Sequence, residues 1–225
     1  MRTSTEIYSL LEKITWQDSR ILALYMNGSR VNPNVMQDDF QDYDVVFVVT
    51  ETASFINDKN WINNFGKPFY FQLPDENPNF PNDKENFYGY LVQFEDGVRL
   101  DIHIETLSHA LENIKNDSLC KILIDKNNYL PTVPESSDKN YWVKKPNQEE
   151  FLACCNEFWW CTNNLAKGLA RKEILYVQDM ANFVVRKELE KMLSWKVGIK
   201  TDFKVSVGKS AKYLQNYIDE SEYNL

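Results

Sequence analysis

Residues 42–49, Asp-Tyr-Asp-Val-Val-Phe-Val-Val, constrain the fold of this chain more than any other stretch. The run Val45-Val46-Phe47-Val48-Val49 is β-branched and aromatic throughout, which predicts a buried strand. Side chains alternate across a strand, so Asp42 and Asp44 project to the same side with Cα atoms roughly 6.5 Å apart. Carboxylates held that close repel, and a hard divalent cation such as Mg²⁺ relieves the repulsion through oxygen ligands. In isolation an Asp-x-Asp more often means that Asp42 caps a turn and Asp44 lies at the solvated end of the strand.

Two further segments bear on that choice. Phe87 to Phe94 and Val98 to Ile104 flank Glu95-Asp96-Gly97, a hairpin signal in which Asp-Gly supplies the positive φ of the turn. In the second strand Val98, Leu100, Ile102 and Ile104 alternate with Arg99, Asp101, His103 and Glu105, so one face is apolar and the other ionisable. If the ionisable face only meets water, nothing follows. If it lies beside the Asp42 strand, Asp101 completes a carboxylate triad able to hold one or two metal ions and to accept a proton from an attacking hydroxyl. Upstream, the apolar run Arg20 to Met26 reads as a strand ending at Asn27-Gly28-Ser29. Gly28 permits close backbone approach and Ser29 offers a hydroxyl, a combination that can hold a phosphate; Gly-Ser turns that hold nothing are also common.

The order of these pieces resembles the polymerase-β-type nucleotidyltransferase superfamily. Longer strings are similar to one branch of it, the aminoglycoside 6-adenylyltransferases, which adenylylate streptomycin. They comprise Gly28, Ser29, Arg30, Asn32 and Asn34; Asp38 to Asp44; Phe94 to Gly97 with Leu100 and Asp101; Tyr141, Trp142, Lys144 and Pro146; Cys154 to Trp159; and Lys167 to Arg171 with Glu173 to Leu175. The likeness runs from the first helix to about residue 217. It implies ATP as co-substrate with its triphosphate at Gly28 and Ser29, Mg²⁺ held by Asp42 and Asp44, and Asp101 as general base or further metal ligand. It also implies that a basic residue of the helical part, for which Lys167 is chosen, meets the phosphates, and that Arg30 meets phosphate or pairs with a nearby Asp. The chain departs from the family at Ile102-His103-Ile104-Glu105, where Leu-Thr-Leu-Ile or similar is usual, and family members run further past the position of Leu225. The same fold also suits another acceptor, or a non-catalytic ATP-binding relative.

A chain of 225 residues with 43% hydrophobic and 14% aromatic residues can bury a full core. No secretory leader opens the sequence and no apolar run approaches the roughly 20 residues of a membrane span, which predicts a cytoplasmic protein. The net charge of −8 disfavours phosphate-backbone binding, hence nucleic acid, and suits a polycationic small substrate. Cys120, Cys154, Cys155 and Cys161 lack metal-ligand spacing and read as reduced, packed thiols. The sequence leaves monomer and homodimer open.

Thr3 or Ser4 caps a first helix whose buried stripe is Ile7, Leu10, Leu11 and Ile14, with Glu6 completing a capping box. Strands at 20–26 and 44–50, a short helix at 54–64, a Pro- and Asn-rich loop at 66–86, the hairpin, a helix from Ser108 to Asn116 and a strand from Lys121 to Asp125 follow. They predict a mixed-sheet α/β nucleotidyltransferase domain over 1–135. Pro131 to Pro146 reads as a connection. Beyond it, apolar spacing of three and four without proline predicts a helical domain over 147–225, its two long helices parted near Gly168-Leu169-Ala170.

Glu157 lies among Phe151, Cys154, Phe158, Trp159 and Cys161, where burial of an unpaired charge is costly; it either meets a cationic group of the substrate across an interdomain cleft, or forms an internal ion pair or is simply exposed. His103 shares the face of Asp101 and reads as a hydrogen-bonded bystander; His109 starts a helix. Trp142, Trp159, Trp160 and Trp195 are assigned to the core, one of them being available to stack on adenine or a sugar ring.

Overall fold

A computed structural model of the protein describes residues 1–223. The chain forms two compact units, the first spanning Met1–Asp138 and the second beginning at Lys139.

The first unit is built on a six-stranded sheet. Helix α1 (Ser4–Gln17) starts at Thr3 with the expected capping box, the Thr3 hydroxyl accepting from the Glu6 amide and the Glu6 carboxylate accepting from the Thr3 amide. Strand β1 (Ile21–Asn27) leads through the Gly28 turn to β2 (Tyr43–Val49). The short helix α2 (Ala53–Asn57) and a 3-10 turn over Trp61–Phe65 occupy the segment read as one short helix. Strands β3 (Pro68–Gln72), β4 (Phe87–Phe94) and β5 (Arg99–Thr106), helix α3 (Leu107–Asn116) and strand β6 (Cys120–Asp125) complete the unit. The strand order is β3-β4-β5-β2-β1-β6; β2 and β5 run parallel and every other neighbouring pair is antiparallel.

Segment 66–86, read as mostly loop, also holds the strand β3. It is an edge strand with one neighbour, and Phe69, Tyr70 and Phe71 are exposed along it. A strand that buries neither face carries no alternation to read, and its Pro- and Asn-rich flanks resemble loop.

The sheet is covered on both faces. On one, Leu24, Met26, Val45, Phe47, Leu100, Ile102 and Ile104 pack with Ile7, Leu11 and Ile14 of α1 and with Phe55, Trp61 and Phe65. Phe47 meets Trp61 edge-on at 5.7 Å. On the other, Ala23, Tyr25, Val46 and Val48 pack under Ala110 and Ile114 of α3. The hairpin turn forms as the Asp-Gly signal predicts, with Gly97 at φ 88° and the Phe94 amide donating to the Val98 carbonyl at 2.8 Å. Asp96 of that turn pairs with Arg2 at 2.6 Å and so ties the chain start to the hairpin.

The second unit consists mainly of α4 (Gln148–Ala170), α5 (Ile174–Asp179), a π-helical turn over Met180–Val185 and α6 (Arg186–Lys200). α4 opens with its own capping box between Asn147 and Glu150 and ends before Lys172, whose φ of 64° breaks the helix close to the expected point. Its buried residues, Cys154, Cys161 and Gly168, recur every seven positions and form one narrow stripe. That narrowness overturns the assignment of Trp159 and Trp160 to the core, since both lie off the stripe and are exposed. All four cysteines are free thiols.

Phe47 is fully buried against the rings of Trp61 and Phe65, so Phe47→Ala is expected to lower unfolding stability by about 3–5 kcal/mol in denaturant titrations, the usual loss for a large core ring.

Candidate active site

Three strands bring chemically active side chains to one edge of the sheet. β2 and β5 are parallel, and their register sets Asp44 directly beside Asp101. β1 is antiparallel to β2, so its end reaches the same edge, with Asn27 opposite Asp44. The transverse row therefore reads Asn27, Asp44, Asp101, with neighbouring strands roughly 4.8 Å apart. Asp42, two residues before Asp44, faces the same side. Two carboxylates about 5 Å apart repel by roughly 3 kcal/mol at the effective dielectric of a protein surface, so the row needs positive charge.

The Gly28 turn closes against this row. Gly28 has φ +77°, and a Cβ built there would lie 2.0 Å from Asp44 Oδ2. Backbone conformation and space both require glycine, because the Asp44 carboxylate fills the volume a side chain would take. Ser29 then begins a 3-10 turn, Ser29–Val31. Asn32 Oδ1 accepts from the Asn34 amide at 2.9 Å, and Asn34 Nδ2 donates to Asp138 Oδ1 at 3.0 Å. The two asparagines thus hold the shape of the loop after the turn.

Arg30 is engaged as a brace. Its guanidinium donates to the carbonyls of Gln41 (2.7 Å) and Asp42 (3.1 Å) and stacks on the Tyr43 ring at 3.7 Å. These contacts fix the backbone that carries Asp42, so Arg30 acts on the site through the loop.

Arg99 supplies the positive charge. Its Nε and Nη2 donate to Asp101 Oδ1 and Oδ2, each at 2.8 Å, and Nη1 lies 3.4 Å from Asp42 Oδ2. The hydrogen bonds with Asp101, followed by the negative charges of Asp101, Asp42 and Asp44, push the Arg99 pKa above its ordinary value. Among the described residues no three His, Cys, Asp or Glu side chains are gathered closely enough to chelate an ion, and the Arg99 guanidinium reaches both Asp42 and Asp101. The donor chemistry still suits a hard divalent cation: Asp44 and Asp101 on the adjacent strands β2 and β5, Asp42 just before β2, and on β1 Asn27 Oδ1, buried in the same row without a hydrogen-bond partner among the described residues. Reading only the acids on β5 passed over Arg99, and the signal was available, since positions two apart on a strand share a face. Asn27 was passed over because it was read as part of the turn rather than as the last residue of β1.

Deeper along β5 the ionisable face is buried. Glu105 accepts from Tyr25 Oη at 2.9 Å and Asn113 Nδ2 at 3.0 Å, with His109 Nδ1 at 3.4 Å. Burial first, then the Glu105 charge, drives the Tyr25 pKa upward, so the phenol stays a donor to Glu105. His103 packs on the Phe87 ring at 5.0 Å, and burial lowers its pKa below 6.5 despite the opposing charges of Glu105, Asp101 and Asp75.

In the second unit Glu157 does not sit in a buried apolar face. It is exposed, as are Phe151 and Trp159, and it accepts a hydrogen bond from Cys161 Sγ at 3.3 Å. Cys154 and Cys161 belong to the buried stripe of α4, but Phe151, Phe158 and Trp159 lie off it with Glu157, so burial imposes no ion pair there. Glu157 lines a groove with Glu150, Glu188, Lys191 and Trp195. The one ammonium in that set pairs with Glu188 at 2.6 Å, which leaves the groove acidic. Lys167 lies exposed in the last turn of α4. No described helix is long and apolar enough to cross a membrane.

The lowered pKa of His103 has a defined pH consequence. The unfolded chain takes up this proton near pH 6.5 and the folded chain only at lower pH, so stability falls as pH drops below about 6.5, by at most about 1.4 kcal/mol per pH unit for one proton. Melting curves of wild type and His103→Gln at pH 7.5 and 5.5 are expected to show a smaller acid-induced loss in the variant.

The model of the family described as streptomycin adenylyltransferase matches residues 1–225. The chain is 38% identical over 226 residues to an aminoglycoside 6-adenylyltransferase of Staphylococcus aureus, covering 100% of this chain and 80% of that protein. It is 40% identical over 220 residues to one from Campylobacter jejuni, covering 98% of this chain and 76% of the relative. A crystal structure of an aminoglycoside 6-adenyltransferase from Bacillus subtilis aligns at 31% identity with a TM-score of 0.49, over 100% of this chain and 78% of that one.

Proposed function

Because this chain belongs to the streptomycin adenylyltransferase family, we propose that it transfers an adenylyl group from ATP to a hydroxyl of an aminoglycoside. The 6-hydroxyl of streptomycin is the acceptor, pyrophosphate leaves, and the modified drug no longer acts, which gives resistance. The observation that carries the reading is the register of β2 against β5, which sets Asp44 beside Asp101 with Asp42 on the same side.

The residues divide the work as follows. The turn at Gly28 and Ser29 offers backbone N–H groups and a hydroxyl to the triphosphate. Asp101 takes the proton from the attacking hydroxyl, which raises its nucleophilicity toward the α-phosphorus. Asp42, Asp44 and Asp101 would hold Mg²⁺, which when bound supplies charge neutralisation at the phosphates. Arg30 keeps the Asp42 loop in place, and the exposed ammonium of Lys167 is assigned to the negative charge of the phosphates. Glu157, in an acidic groove with an aromatic wall, suits the guanidinium and ammonium groups of such a drug, as does the net charge of −8. Rate acceleration comes from positioning and charge complementarity, with no covalent intermediate on the protein.

Mass spectrometry of streptomycin after incubation with the protein, ATP and Mg²⁺ is expected to show the gain of one adenylyl group; no gain on any aminoglycoside would refute the proposal. Asp101→Asn is expected to lower kcat by about 10²–10⁴-fold, the usual share of a general base, with little change in drug binding by calorimetry. Gly28→Ala, which must push Asp44 aside, is expected to cost about 10²-fold in kcat/KM in the same assay.

A further inference from the structure

We infer that Arg99 is the resident counter-cation of this site: its guanidinium holds Asp101 and Asp42 together when no divalent ion is bound, and it withdraws when one binds. The inference rests on the reading of Asp42, Asp44 and Asp101 as a cation site, and it adds a residue that this reading does not contain.

The geometry of the fork comes first. Arg99 and Asp101 stand two apart on β5 and share a face, so the guanidinium meets the carboxylate side-on and gives one hydrogen bond to each oxygen, both at 2.8 Å. Its remaining terminal nitrogen reaches Asp42 Oδ2 at 3.4 Å. Arg99 therefore spans the two carboxylates that an ion shared between them would have to bridge, and it fills the space that ion needs. A divalent centre and a guanidinium a few ångströms apart also repel, so the two compete for one position.

Exposure and room decide which partner gives way. The Asp101 side chain is 13% exposed and the Arg99 side chain 44%, so the carboxylate is fixed in the sheet while the guanidinium lies on the solvent side. Arg99 is the first residue of β5, and its side chain also lines a pocket shared with Asp39, Gln41, Gln93, Arg2 and Arg30, the last two already engaged by Asp96 and by the Gln41 and Asp42 carbonyls. The guanidinium, 44% exposed, can withdraw into that pocket, where Asp39 carries a carboxylate able to accept from it. A lysine at this position would keep the charge and lose the planar two-point match to Asp101.

The test is a Mn²⁺ titration without nucleotide, following free ion by electron paramagnetic resonance, on wild type, Arg99→Gln, Arg99→Lys and Asp44→Asn, together with melting curves in chelator. Arg99→Gln is expected to bind Mn²⁺ about tenfold more tightly than wild type, within the usual range of coupling between linked equilibria. It is also expected to melt lower in chelator and to gain more on adding Mn²⁺; Arg99→Lys should fall between. Equal or weaker Mn²⁺ binding by Arg99→Gln overturns the inference, and if that variant does not fold, failure of Arg99→Lys to bind more tightly than wild type overturns it. If neither wild type nor the Arg99 variants bind Mn²⁺ in a manner that Asp44→Asn removes, the carboxylate-site reading has itself failed. Binding that Asp44→Asn removes but Arg99→Gln leaves unchanged ends the Arg99 inference alone.

Discussion

The parallel pairing of β2 with β5 is the constraint on which the rest of the site depends. Its register places Asp44 against Asp101, Val46 against His103 and Val48 against Glu105. A slip of one residue would turn Asp101 toward the core that Ile102 now occupies and expose an isoleucine in its place. The two apolar layers hold that register, because Leu100, Ile102 and Ile104 have somewhere to pack only on the α1 side. Parallel strands also need a long connection. The chain uses residues 50–98 for it, and that segment supplies Phe55, Trp61 and Phe65 to the core and the β3–β4 hairpin to the sheet.

Around this pairing, the strand ends are held by groups that take no direct part in bond making. β1 brings Asn27 and the Gly28 turn to the same edge because it runs against β2. Arg30 grips the Gln41 and Asp42 carbonyls and stacks on Tyr43, whose hydroxyl donates to Ser4 Oγ at 3.0 Å. The start of α1 is thereby linked to the loop that carries Asp42. Glu105, satisfied by Tyr25 and Asn113, anchors the buried end of the same strand face that carries Asp101 at its open end. Burial of that carboxylate is tolerable because each oxygen has a donor.

Legibility in the sequence followed the strength of local chemistry. The Asp96-Gly97 hairpin, the Thr3–Glu6 capping box and the Val45–Val49 strand each rest on interactions within a few residues, and all three form where expected. β3 escaped because an exposed edge strand leaves no burial pattern. Trp159 and Trp160 were misplaced because hydrophobicity alone does not say how wide a helix's buried stripe is, and here it is a single line through Cys154, Cys161 and Gly168.

By itself the sequence determined which residues share a face: Asp42 with Asp44, and Arg99 with Asp101, His103 and Glu105. It also determined where glycine must stand. Those are consequences of the two-residue period of a strand and of backbone sterics, which act within a short stretch of chain. Only the tertiary structure decided that the two acidic strands are neighbours, that they run parallel, and that Arg99 reaches both Asp42 and Asp101. Strand order and direction are chosen by how two apolar layers close over the whole sheet, and a charge finds its partner only after that choice has been made.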